Sequence, residues 1–251
     1  MIRIVAGALL VLALGVAAQG QIESSFVAAP DGDDNGECTD ARPCSPQGAV
    51  KTCPMGGICI IRLQPGIYLD PAVNIYYHRT ISFRGNCSAP NTVIFRATKP
   101  GTALIWIQDH ATGTVACLTM DSESTGTIGI AGRQHIIADY ERVIFGAMPD
   151  GMHVAMNEFS IASCLDTVWI IGDAKTHFAA ANNSNLNLNC SITLSEPRVF
   201  TYFVNAVAFS IVDAQHAKLF GSVATGVGCN SWNAIVYLPA QGLPGSQPGN
   251  C

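Results

Sequence analysis

The run ADYERVIFG places Asp139, Glu141 and Arg142 within four residues of one another. On a strand, Asp139 and Glu141 point to one face and Arg142 to the other. If that face is outward, Asp121 or Asp166 from neighbouring segments can join them. Carboxylates gathered in this way do one of two things: they hold a hard cation such as calcium, or they divide acid and base work between them. The catalytic candidates are therefore Asp139, Glu141, Asp166 and Arg142, and the metal candidates Asp121, Asp139 and Asp166. The plainer alternative is a solvated turn with a surface ion pair worth about 0 to 1 kcal/mol.

Aromatic residues offer a second chemistry. Trp106, Tyr140, Trp169, Tyr202 and Trp232 are spread through the chain, and aromatic faces stack on sugar rings. Trp106 and Trp169 are the candidates for carbohydrate stacking; the alternative is that the aromatics are half-buried core. Other familiar sites are excluded. DGDDNGE at 31–37 imitates the start of an EF-hand, but Arg42 stands where a bidentate Glu must close the cage. That run reads instead as a turn rich in Asp, Asn and Gly. The histidines 78, 110, 135, 153, 177 and 216 form no i, i+4 pair for zinc. Ser160 and Ser163 lack a nucleophile elbow.

These side chains must be carried by strands. From Ile58 to Leu238 the chain is a series of short β-branched runs, among them ICIIRL, TISFRG, TVIFRA, ALIWIQ, IASCL and TVWIIG, divided by Gly, Asn, Asp and Pro. A sandwich, a propeller and a β-helix all fit such a series. Aligning Cys117, Asp139, Cys164 and Cys190 gives steps of 22, 25 and 26 residues, which suit one coil of a solenoid. The Asn-rich run NNSNLNLN at 182–189 suggests stacked side-chain amides at the turns.

Composition limits the setting. Arg3, the apolar run Ile4–Val16 and the small residues before Gln19 read as a signal peptide over 1–18, followed by one domain over 19–251, of which 239–251 is a C-terminal tail. All ten cysteines lie beyond it, so disulfides in an oxidising compartment, secreted or periplasmic, are expected. Charged residues are 12% and the net charge is −5. That balance does not suit nucleic acid, and no polybasic membrane patch is present.

The segment FVAAPDGDDNGECTDARPCSPQGAVKTCPMGGICIIRLQPGIYLDP resembles the opening of secreted right-handed parallel β-helix proteins of the pectin-lyase-like superfamily. A strand (Phe26 to Pro30) enters the Asp31 to Gly36 turn, Pro43 to Cys53 starts a short helix, and Ile58 to Tyr68 opens the first coil. The resemblance implies an all-β, right-handed parallel β-helix with a short N-terminal capping helix (cap 19–57, coils 58–238). Spacing lets Cys38 bridge Cys44 and Cys53 bridge Cys59, and stacking one coil apart lets Cys164 bridge Cys190. Cys87 with Cys117 and Cys229 with Cys251 are looser pairings, the full connectivity being left open by sequence. The resemblance further implies action on, or binding of, polysaccharide, either as a calcium-assisted lyase or as a non-catalytic binder of glycan or protein. The ordered Asp and His motifs of the hydrolases in that superfamily are missing.

Overall fold

The computed structural model describes residues 23–239; the expected signal peptide and the C-terminal tail, with Cys251, lie outside them. The chain begins with β1 (Glu23–Asp33) and the helix α1 (Pro46–Thr52). It then winds through seven coils of three strands each. The first coil is β2 (Ile58–Leu63), β3 (Gly66–Leu69) and β4 (Val73–Ile75). The second is β5 (Thr80–Arg84), β6 (Val93–Ala97) and β7 (Ala103–Ile107), and the third β8 (Thr112–Ala116), β9 (Thr119–Ser122) and β10 (Ile128–Gly132). The fourth holds β11 (Ile137–Glu141), β12 (Val143–Phe145) and β13 (Met148–Met156), the fifth β14 (Ile161–Cys164), β15 (Thr167–Ile170) and β16 (Ala174–Ala180). The sixth is β17 (Asn185–Asn187), β18 (Ser191–Leu194) and β19 (Arg198–Val207). The seventh is β20 (Ile211–Asp213), β21 (Lys218–Phe220) and β22 (Val223–Trp232), and β23 (Ile235–Tyr237) follows.

Each strand pairs in parallel with its equivalent one coil away. The result is three sheets: A, with nine strands from β1 to β23, B, from β3 to β21, and C, from β4 to β22. This is an all-β parallel β-solenoid with a single α-helix among the described residues. Residues in register stack: Tyr68, Phe95, Met120, Phe145, Ile170 and Leu194 form one inward column of sheet B, and all are buried. Each such side chain contributes roughly 1.5–3 kcal/mol when fully withdrawn from water. No coil could bury that face alone, so stacking and core formation are one event.

The register corrects the alignment drawn from the cysteines. Asp139 stacks on Thr114 and Ser163, while Cys164 stacks on Tyr140. Among the described residues, four of the expected bridges are present nonetheless, at Cys38–Cys44, Cys53–Cys59, Cys87–Cys117 and Cys164–Cys190. Cys164 ends β14 and Cys190 stands just before β18, so this bridge ties one corner to the next coil with 5.7 Å between Cα atoms. Four bridges point to an oxidising compartment. Replacing both Cys164 and Cys190 by Ala should lower unfolding free energy by about 3 kcal/mol, measured by denaturant titration, because the unfolded chain regains loop entropy.

The acidic run is a turn, as its composition suggests. β1 extends three residues beyond Pro30 to Asp33, and Asp33 then accepts from the Asn35 N–H at 3.1 Å and the Gly36 N–H at 2.9 Å. Asp34 accepts from Ser45 Oγ and from Lys51 Nζ at 2.7 Å. Ser45 also caps α1, accepting the Gly48 N–H, and Pro46 occupies the first turn where its missing donor costs nothing. The carboxylates of this run thus tie β1 to α1.

Candidate functional site

The outer face of sheet C is concave, because small residues stand in register where its neighbours carry large ones. Trp106, Ala131, Ala155, Ala179, Asn205 and Asn230 form one outward column. Three consecutive alanines leave a trough between the Trp106 ring and the Asn205 side chain. It has a volume of about 350 Å³. Its length, from the second coil to the sixth, is about 19 Å at the usual strand spacing.

The trough is stiffly framed. Trp106 Nε1 donates to Gln108 Oε1 at 2.8 Å, and Arg133 lies over the indole, 5.3 Å from its centroid, while its Nη2 reaches the same oxygen at 3.3 Å. The guanidinium is thereby held at the rim. Asn157 Oδ1 accepts from Asn182 Nδ2 at 2.7 Å and Asn205 Oδ1 from Asn230 Nδ2 at 2.8 Å, each pair one coil apart. The site therefore combines an apolar floor, one aromatic wall and amide-lined edges.

A second hollow of about 740 Å³ lies where sheet B turns into sheet C, with Asp121, Asp150, Asp173, Lys175, Arg198 and Phe200 on its walls. Most of its charge is already matched. Asp121 receives Arg96 through two bonds, at 2.8 and 2.7 Å. Arg198, buried, donates to the Ile171 carbonyl at 2.8 Å and to Glu196 at 2.9 Å.

The predicted acidic group separates into parts. Asp139 and Glu141 share the outer face of sheet A, and burial together with the Glu141 charge pushes the Asp139 carboxyl above its ordinary range. Arg142 and Asp166 sit at the corner between sheets A and B and bond to each other at 2.8 Å, each about half exposed. That pairing holds the Asp166 carboxyl below the usual carboxylate range and raises Arg142 further, so the guanidinium stays charged. Asp121 lies on sheet B, committed to Arg96. Among the described residues, no three His, Cys, Asp or Glu side chains come together as a metal-holding group.

The aromatics divide as well. Trp106 belongs to sheet C, but Trp169 is in β15 of sheet B, in register with Ile144 and Thr193, so the two cannot line one track. Tyr140 is fully buried in the core. Tyr202 is half-buried in β19, and Trp232 is exposed at the end of β22.

Two histidine groups escaped the sequence. His78, His110 and His135, with Phe159, stack at centroid distances of 5.2, 5.2 and 5.1 Å along the corner between sheets C and A. All four have positive φ. His153 and His177 are buried side by side under the charged hollow, their Nδ1 atoms 3.0 Å apart. Only the coil register brings such distant positions together. The expected amide stacking is visible at Asn182, paired with Asn157 one coil back; Asn189 instead accepts the backbone N–H of His216 at 2.8 Å.

Compared with known proteins, the chain matches no family model, no curated protein and no solved structure.

Proposed function

We propose that this protein binds an extended glycan chain along the outer face of sheet C, without needing to cleave it. The observation that carries this reading is the alanine column Ala131, Ala155 and Ala179 lying between Trp106 and Asn205. A flat apolar floor with one indole and several amides suits sugar rings, which present C–H faces and hydroxyl edges. The trough's length suits an oligosaccharide better than a single sugar. The calcium-assisted lyase is the weaker reading, because Asp166 and Arg142 neutralise each other and Asp121 is spent on Arg96.

The same proposal takes the chain as a secreted relative of the pectin-lyase-like superfamily. Its coils wind right-handedly, the hand that parallel crossovers adopt almost without exception. α1 packs against β1, β2 and β4, which suits a lid over the first coil, where open backbone and core would otherwise meet water.

The test is a panel of immobilised neutral β-glucans, mannans and homogalacturonan, with and without calcium, probed with three proteins. The parent should bind at least one polymer. Ala155→Arg, which fills the trough, should lose about 100-fold in affinity, and Trp106→Ala about tenfold, by the usual weight of a blocked pocket and a lost stacking face. Equal binding by all three proteins, or none by the parent, would contradict the reading.

A further inference from the structure

The outer face of sheet A carries a chemical pattern that complements itself when its coil order is reversed. Its first outward column is Ile137, Ile161, Asn185, Ile211 and Ile235, in register from the fourth coil to the last strand. The four isoleucines remain 46, 43, 37 and 49% exposed. Next to it, at the corner, stand Phe159, Asn183 and Phe209, each with positive φ, the two phenylalanines 54 and 72% exposed. The second outward column is Asp139, Ser163, Asn187, Asp213 and Tyr237.

All three columns are self-complementary about β17. We propose that this face is a two-fold interface with a second copy of the chain, its axis running along β17 in the plane between the two sheets. Such an axis reverses the order of coils but keeps the columns opposite one another. Ile137 then meets the partner's Ile235, Ile161 meets the partner's Ile211, and Phe159 meets the partner's Phe209. In the second column the Tyr237 hydroxyl donates to the partner's Asp139 and the Ser163 hydroxyl to the partner's Asp213. The amides of Asn183, Asn185 and Asn187, each both donor and acceptor, lie on the axis and face themselves. No carboxylate opposes another carboxylate. Six exposed large apolar side chains in one patch are more than a solitary surface usually shows, and both acids of the second column face hydroxyls.

The patch spans five strands, about 19 Å at the usual spacing, so the interface is small and the association belongs in the micromolar range. Sedimentation equilibrium from low micromolar to submillimolar concentration should show a monomer–dimer equilibrium. Ile161→Lys and Ile211→Glu, both at exposed positions, should each weaken it by at least about tenfold. An equimolar mixture of the two variants should recover the dimer, since the lysine introduced in one chain then faces the glutamate introduced in the other while the remaining isoleucines still meet. As a second measurement, amide exchange across Asn185–Asn187 in the parent should quicken on dilution. A parent that stays monomeric throughout, single variants that associate like the parent, or a mixture that stays monomeric would overturn the proposal.

Discussion

Acidification from pH 6.5 to 4.5 should destabilise this protein steeply, at up to about 1.4 kcal/mol per pH unit for each of two buried histidines. His153 Nε2 lies 3.0 Å from the Gly146 carbonyl, which can only accept, so that nitrogen carries the proton and Nδ1 is bare. His177 must then donate from its own Nδ1 to His153 Nδ1. Its Nε2 is left without a partner, among Phe200 and Phe203. Both rings are therefore neutral in the folded protein. Burial lowers His153 to about 3, and burial, His153 and the Arg198 charge together press His177 well below its ordinary value.

The sign follows from those directions. Between the unfolded value near 6.5 and the folded values, the unfolded chain binds more protons, so stability is complete above about pH 6.5 and falls as pH drops. Asp34, Asp70 and Asp166, whose carboxyls are also lowered, add their losses only in the carboxylate range beneath this window. Urea unfolding at stepped pH should show the slope. The double substitution His153→Leu with His177→Leu should flatten it between pH 6.5 and 4.5, whatever it does to absolute stability. An unchanged slope would mean that the pair is not the source.

The second large effect concerns Gly172, on the wall of the charged hollow. A Cβ there would stand 2.0 Å from the Ala147 nitrogen and 2.2 Å from the Gly146 carbonyl carbon. Both atoms are backbone of the preceding coil, so no side chain can swing away, and the coils would have to part. Gly172→Ala should cost about 3 kcal/mol or more, lowering Tm by roughly 10 °C for a chain of this size. Gly56→Ala is the contrast. Gly56 has φ +70° but nothing within 4 Å of the added carbon, so it should lose only about 1 kcal/mol through backbone strain.

Much of the solenoid was legible because sheets A and B obey simple alternation. TISFR, VIFRA, IASC and TVWI each bury every second residue, and their stacked inward columns make the coil rhythm visible. Sheet C hides itself. Its strands bury two residues in succession, Leu104 and Ile105, His153 and Val154, His177 and Phe178, Phe203 and Val204, which breaks the period of two. Its outward positions in the fourth and fifth coils include Ala155 and Ala179, so MPDGMHVAM and AKTHFAA look like turn and filler. The trough falls in the sheet least readable from sequence, and only Trp106 announced it. The acidic candidates were legible as a cluster, but their partners were not, because Arg96 and Asp121 lie 25 residues apart and meet only through the coil register.

The claim that a glycan lies in the trough is tested most directly by methyl spectroscopy. With ¹³C-labelled alanine methyl groups, titration of an oligosaccharide taken from the polymer bound most tightly should shift the resonances of Ala131, Ala155 and Ala179, and leave the core methyls of Ala138 and Ala162 in sheet A in place. Saturating shifts confined to sheet C are the predicted result. Shifts centred on sheet A or B, or a bound oligosaccharide that leaves all three trough methyls unmoved, would contradict it.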